Sequence, residues 1–82
     1  MVEVRIPKWG MGINEGRVLG WMKQVGDRVT AGEVLVEIET AKAVQEMEAP
    51  VSGRLSAILV EAGTLVPVRE LIALIEPVED ES

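Results

Sequence analysis

The sequence holds no cysteine, no histidine, no phenylalanine and no tyrosine. Each absence closes off a class of function. Without cysteine there is neither a disulfide nor a thiolate metal site. Without histidine the chain lacks the commonest general base and the commonest metal ligand. Aromatic residues are reduced to Trp9 and Trp21, whereas a nucleic-acid reader needs a basic face with stacking rings. The charge also has the wrong sign for that role: 8 lysines and arginines against 14 aspartates and glutamates leave a formal net charge of −6. No apolar run approaches the ~20 residues of a membrane span, and the first residues are not a signal peptide. The expectation is a soluble intracellular domain that binds no nucleic acid, metal or membrane. At 82 residues it is a single domain with a modest core.

What the chain does have is alternation. Val2, Val4 and Ile6 alternate with Glu3 and Arg5. Val34, Val36 and Ile38 alternate with Leu35 and Glu37, and Leu71, Ala73 and Ile75 with Ile72 and Leu74. Short runs of β-branched residues between turn residues read as strands. The turns are marked by Val25-Gly26-Asp27, Ala31-Gly32-Glu33, Ser52-Gly53 and Ala62-Gly63-Thr64. An all-β sandwich or flattened barrel follows. After residue 77 the chain turns acidic and loses periodicity, so residues 78–82 read as a tail or the start of a linker.

An internal repeat organises these strands. A slide of 37 residues lays Gly16-Arg17 on Gly53-Arg54, Gly26 on Gly63, Val29 on Val66, Glu33 on Glu70 and Ile38-Glu39 on Ile75-Glu76. Two copies are too few for a solenoid. They suggest two similar β-halves, each burying one face against the other. The segment between the halves, Thr40-Ala41-Lys42-Ala43, is then a connection. By propensity, Ala41–Ala49 could be a helix. By period 2 it places Ala43, Gln45 and Met47 on one side and Val44, Glu46 and Glu48 on the other, and the repeat favours this extended reading. Lys42 then lies near the tip of a turn.

At this point "ETAKA" around Lys42, "MEAPVSG" after it and "GDRVTAGEVLVEIE" before it resemble the lipoyl-lysine hairpin of lipoyl domains. These are carrier domains of 2-oxo acid dehydrogenase multienzyme complexes, usually borne by the dihydrolipoamide acyltransferase component. The resemblance runs from "VRIPKWGMGINEG" through "RELIALIEP", and "PKWGMGINEG" looks like acyltransferases of the acetoin or 2-oxo acid type. The family has a glycine at the place of Gly53, as here. It usually has aspartate at the place of Ala41, and it tends to have glycine at the place of Arg69. The second departure suggests a turn that does not need positive φ.

The resemblance implies a flattened β-barrel of two four-stranded antiparallel sheets related by an approximate two-fold, over residues 1–77. It implies lipoic acid joined by an amide to Lys42, with Ala41 and Ala43 flanking the turn. The domain would then carry acyl groups and reducing equivalents as a non-catalytic swinging arm. Implied partners are the lipoate-attaching enzyme, the decarboxylase, the acyltransferase core and the flavin dihydrolipoamide dehydrogenase. The implied setting is the bacterial cytoplasm, or the mitochondrial matrix in a eukaryote, with the isolated domain monomeric and the chain an excised N-terminal piece of an acyltransferase. A biotinyl domain has the same fold but favours methionine on each side of its lysine. An unmodified β-sandwich that binds a partner is the rival of another class. A lysine amine is protonated at neutral pH, so the modifying enzyme must supply the base. The small alanines leave its approach open.

Other residues carry weaker signals. Lys8 and Lys23 lack a symmetric turn context and read as solvated charges. Trp21 reads as core or partly buried. Trp9 lies in the loop Lys8–Gly16; packing and partner recognition are both open for it, and Asn14 joins it as a candidate recognition residue. Gly10, Gly12 and Gly16 make no phosphate loop, since no Lys-Ser/Thr follows and no βαβ unit is present. Glu46 and Glu48 read as a solvated face. Finally, a two-fold that exchanges the halves sends the lysine turn and the chain ends to opposite ends of the molecule. Strands of this length imply a separation of roughly 20 Å or more.

Overall fold

The structure, a computed structural model, describes residues 1–78. Eight strands form: β1 (Val2–Arg5), β2 (Glu15–Trp21), β3 (Arg28–Val29), β4 (Val34–Glu39), β5 (Val44–Glu48), β6 (Gly53–Ile58), β7 (Leu65–Pro67) and β8 (Leu71–Pro77). They make two four-stranded sheets in the orders β1-β8-β6-β3 and β5-β4-β2-β7, with every pairing antiparallel. Exchanging β1 with β5, β8 with β4, β6 with β2 and β3 with β7 turns one order into the other. This is the two-fold that the repeat implied. The stretch after Lys42 is strand rather than helix: Met47 and Ala49 are buried while Glu46 and Glu48 are exposed.

The strands do not keep strict alternation. In β4 and β8 the adjacent pairs Leu35-Val36 and Ile72-Ala73 are all buried. Val34 pairs with Glu48 but Val36 with Met47, so Leu35 is an extra residue on β4. Ala73 pairs with Val4 but Leu71 with Arg5, so Ile72 is its counterpart on β8. A second matched pair is Leu19 in β2 and Ser56 in β6. Such bulges bend a strand and increase its twist, which lets two short sheets wrap one core. Ile6, Leu35, Ile38, Leu55, Ile72 and Ile75 are fully buried there, each worth about 1.5–3 kcal/mol on transfer from water. Trp21 is partly buried against this core, and its indole N–H donates to Val60 O at 3.0 Å.

Two glycines are required by close approach. A Cβ at Gly53 would collide with the backbone carbonyl of Glu76, and one at the repeat-related Gly16 with Ile38 Cγ2. One expectation is overturned. Arg69 has φ 72°, the same left-handed conformation as its repeat mate Gly32 at φ 91°. The turn needs positive φ after all; the backbone of the 67–70 turn is imposed by its neighbours, and the side chain tolerates it.

The topology gives the molecule two distinct ends. Arg17 lies opposite Glu39, so Glu15 and the loop before it lie beside the lysine turn. Val68 N–H donates to Asn14 O and Ile6 N–H to Glu70 O, which brings the start of β8 to this same end. β8 then runs away for seven residues, about 20 Å at strand rise. Val78 N–H donates to Ser52 O at the far end, where Gly32 N–H also meets Ala49 O. Val2 pairs with Ile75, so Met1 lies at the far end as well. The expected nearness of Met1 to Glu79, and the acidic character of the tail, fall largely outside the described residues.

Candidate functional site

β4 leads into the turn Thr40–Ala43, and β5 leads out of it, with Glu39 paired to Val44. Thr40 organises the turn. Its amide donates to Ala43 O at 2.8 Å, and its hydroxyl donates to the same carbonyl at 2.9 Å. The hydroxyl oxygen accepts from the amides of Ala43 at 3.2 Å and Lys42 at 3.3 Å. One donor and two acceptor lone pairs are the full capacity of a hydroxyl, and Thr40 is itself buried. Neither Ala41 nor Lys42 has positive φ, so this four-residue connection needs no glycine. Sequence reasoning passed over Thr40. The available signal was its type: threonine hydroxyls commonly bond backbone amides two residues on.

Ala41, Lys42 and Ala43 are all exposed. The three lysines of the chain differ in their commitments. Lys8 Nζ donates to Ile13 O at 3.0 Å and to Asn14 Oδ1 at 3.2 Å. Lys23 Nζ pairs with Glu33 at 2.9 Å. The Lys42 amine has no hydrogen bond or ion pair among the described residues. Lys8 is exposed and Lys23 half-buried, and each ammonium, while open to solvent, also braces its own loop.

A shallow groove of about 420 Å³ runs beside the turn, lined in part by Gly12, Ile13, Asn14, Glu39, Thr40 and Ala41. It brings Asn14 and Ala41 together. Trp9 does not line it; the indole packs against the core, which favours the packing role for this residue. Across the outer face of the lysine-bearing sheet, Val44, Glu39, Arg17 and Leu65 form one exposed row. Glu37 lies opposite Glu46 one step further on, so Glu46 belongs to an acidic sheet face. Chemically, the site offers a primary amine on an open turn, and none of the described residues bonds to it. It can be modified by an external catalyst and can present what is attached.

The chain matches the Biotin_lipoyl family, described as "Biotin-requiring enzyme", over residues 2–75. It is 33% identical over 79 residues to the dihydrolipoyllysine-residue acetyltransferase component of the acetoin cleaving system of Cupriavidus necator, which covers 96% of this chain and 21% of that protein. It is 38% identical over 74 residues to the corresponding component of the pyruvate dehydrogenase complex of Staphylococcus aureus, which covers 90% of this chain and 17% of that protein. The chain thus spans a small part of the curated relatives it matches. Among solved structures, the lipoyl domain of the 2-oxoglutarate dehydrogenase complex of Azotobacter vinelandii superposes with a TM-score of 0.77 at 30% identity, covering 93% of this chain and 96% of that one.

Proposed function

This chain belongs to the biotinyl/lipoyl carrier family as a lipoyl domain, and from that premise we propose that Lys42 is its lipoyl attachment site. The observation that carries the proposal is the contrast among the lysines. Two are engaged with the protein, and the third stands uncommitted on a turn between two alanines. Its amine fits an amide-linked lipoyl group because no described residue competes for it. When bound, lipoic acid supplies a dithiolane that takes up an acyl group together with two electrons.

The residues of this chain hold and display the attachment point. Thr40 sets the turn through four hydrogen bonds. Ala41 and Ala43 keep bulk away from the lysine stem. The rigid β scaffold returns the lysine to the same place at each encounter. β8 ends at the far end of the domain, where Val78 N–H meets Ser52 O, so among the described residues this strand end lies away from the face that presents Lys42. The domain is a carrier and not itself a catalyst. Its partners on this reading are a lipoate-attaching enzyme, a decarboxylase, an acyltransferase core and a flavin dihydrolipoamide dehydrogenase. The complex served is of the 2-oxo acid or acetoin type, and the compartment is the bacterial cytoplasm, in keeping with the bacterial sources of the relatives. Asn14, which joins the groove beside the turn to the Lys8 brace, is the residue of the Lys8–Gly16 loop we assign to recognition, with Trp9 supporting the loop from beneath.

The test is acyl loading. Lipoylated protein incubated with a decarboxylase of this type and its oxo acid gains the mass of one acyl group. Replacing Asn14 slows loading more than it lowers stability, whereas replacing Trp9, which packs against the core, lowers both. A lipoylated domain that no such decarboxylase loads contradicts the carrier reading.

A further inference from the structure

Each copy of the repeat carries the same three-residue row on its sheet, and the two rows differ at one place. At the lysine end the row runs from Glu39 on β4 through Arg17 on β2 to Leu65 on β7. At the far end Glu76 on β8, Arg54 on β6 and Arg28 on β3 fill the equivalent places. Acid matches acid and arginine matches arginine, but leucine stands where the other copy has arginine. All six side chains are exposed, and Leu65 leaves 49% of its surface open. Arg28 shows that this place on a short edge strand accepts a charged side chain. The fold therefore does not require leucine at 65, and its apolar surface is left in water at a cost.

The groove beside the lysine turn is where that surface lies. Leu65 lines it, and so does Ala41, the residue before Lys42. β4 and β7 are two strand spacings apart, about 10 Å. An amide-linked lipoyl arm has about a dozen bonds of about 1.5 Å between the lysine Cα and its ring, enough to cover that distance. The polar groups of the groove are largely spent on the protein. The Thr40 hydroxyl is at capacity within its turn. Arg17 Nη1 donates to Gly63 O at 2.9 Å, and Asn14 Oδ1 accepts from Lys8. Glu15 and Glu39 line the groove as exposed carboxylates, which repel an anion and leave a neutral guest undisturbed. What the groove offers is apolar contact from Leu65, Ile13 and Ala41.

We infer that this groove is a resting site for the lipoyl arm of the same domain, with Leu65 as the apolar contact for its ring. The inference rests on the assignment of Lys42 as the attachment site. The tether selects this guest over a free molecule: a group joined to Lys42 is held beside Ala41 at high effective concentration, so contacts too weak to capture a free ligand suffice. The amide linkage is neutral, as the flanking carboxylates require. No bond is made or broken in docking. Leu65 shields the ring while the arm rests and releases it when the arm extends.

The experiment compares lipoylated wild type, L65R and L65Q. Attachment at Lys42 in each is first established by mass spectrometry of peptides. L65R installs the residue that the other copy carries, and amide spectra of both variants check that the fold is kept. In wild type, nuclear Overhauser contacts join the ring protons to the Leu65 methyl groups, a readout that needs no variant. Reduction of the ring disulfide by dithiothreitol, quenched by alkylation and read by intact mass, runs about two- to threefold slower in wild type than in either variant, as for an arm docked about half to two-thirds of the time. Equal reduction rates in all three, or the absence of any contact between ring and Leu65, overturns the inference and leaves the attachment site standing. Wild type that takes no lipoyl group on Lys42 removes the premise and the inference together.

Discussion

The far end and the lysine end are built from the same parts by the same repeat, and they differ where function enters. At the far end, Thr30–Glu33 forms a relaxed turn: Gly32 supplies the positive φ, Glu33 N–H donates to Thr30 O, and Glu33 Oε1 accepts from Thr30 N–H. At the lysine end, Pro67–Glu70 repeats the backbone bond from Glu70 N–H to Pro67 O. The side-chain bond has no counterpart there, because Pro67 has no N–H to donate. Arginine takes the strained position. The far end is thus locked by local bonds. The lysine end is held by contacts from β1 and from the loop before β2, and it leaves Lys42 and Arg69 uncommitted. Duplicated structure need not repeat its contacts evenly; one copy closes its turn with local bonds while the other leaves an exposed lysine turn.

The largest expected effects come from breaking the symmetry at its two close approaches. Gly53→Ala drives a methyl group into the Glu76 carbonyl, a backbone atom that cannot rotate away. It should destabilise by about 3 kcal/mol or more, at or beyond the upper end of ordinary overpacking. Gly16→Ala meets Ile38 Cγ2, a side-chain atom in the buried core, and should cost about 1–2 kcal/mol. Urea denaturation of the two variants ranks them, and equal losses would mean that the two approaches are not the distinct contacts described here.

Next in size is the lysine turn. Thr40→Ala leaves the Ala43 and Lys42 amides without the hydroxyl that accepts from them. A loss of about 1–2 kcal/mol follows, with slower lipoate attachment, and Thr40→Ser recovers most of both. Attachment at the wild-type rate in Thr40→Ala would show that the hydroxyl does not position Lys42.

Exchanging the two positive-φ residues sharpens the comparison of ends. Arg69→Gly should stabilise by about 1 kcal/mol, and Gly32→Arg should destabilise by a similar amount, since each moves the strain of one left-handed residue. Thermal melts of both variants check the pair of signs.

The smallest effect is electrostatic. The Lys23 ammonium hydrogen-bonded to Glu33, helped by the Thr30 amide, holds the Glu33 carboxyl below its ordinary 4.5. A depressed folded pKa contributes stability that is present above the ordinary value and is lost as pH falls through the lowered one. Melting between about pH 3 and about pH 6 should therefore show a shallower acid-side loss for Glu33→Gln than for wild type. An identical slope would show that this bond makes no difference to folding.

Much of this was legible in the sequence, because the signals were periodic. Val2, Val4 and Ile6 announced β1, and the match of Gly16 with Gly53 announced the two-fold before any strand was placed. The exposed turn that carries Lys42 was legible from the junction of the halves. The bulges at Leu35 and Ile72 were not, since two adjacent inward residues look like a fault in alternation. Their register depends on pairing with β5 and with β1, and β1 lies far from β8 in sequence. Arg69 misled for a related reason. Residue type argued against positive φ, but hydrogen bonds from Arg5 and to Ile6, remote along the chain, decided it. Thr40 was legible in principle from its chemistry, and only its burial and four bonds reveal its weight.

The central claim is that Lys42, and no other lysine, receives the lipoyl group. Intact-mass measurement of wild type and Lys42→Arg, each made with lipoate and a lipoate-attaching enzyme, tests it most directly. The account predicts one lipoyl mass increment on wild type, none on Lys42→Arg, and unchanged β-sheet circular dichroism in the variant. A lipoyl increment persisting in Lys42→Arg, or a biotinyl increment on wild type, would contradict it.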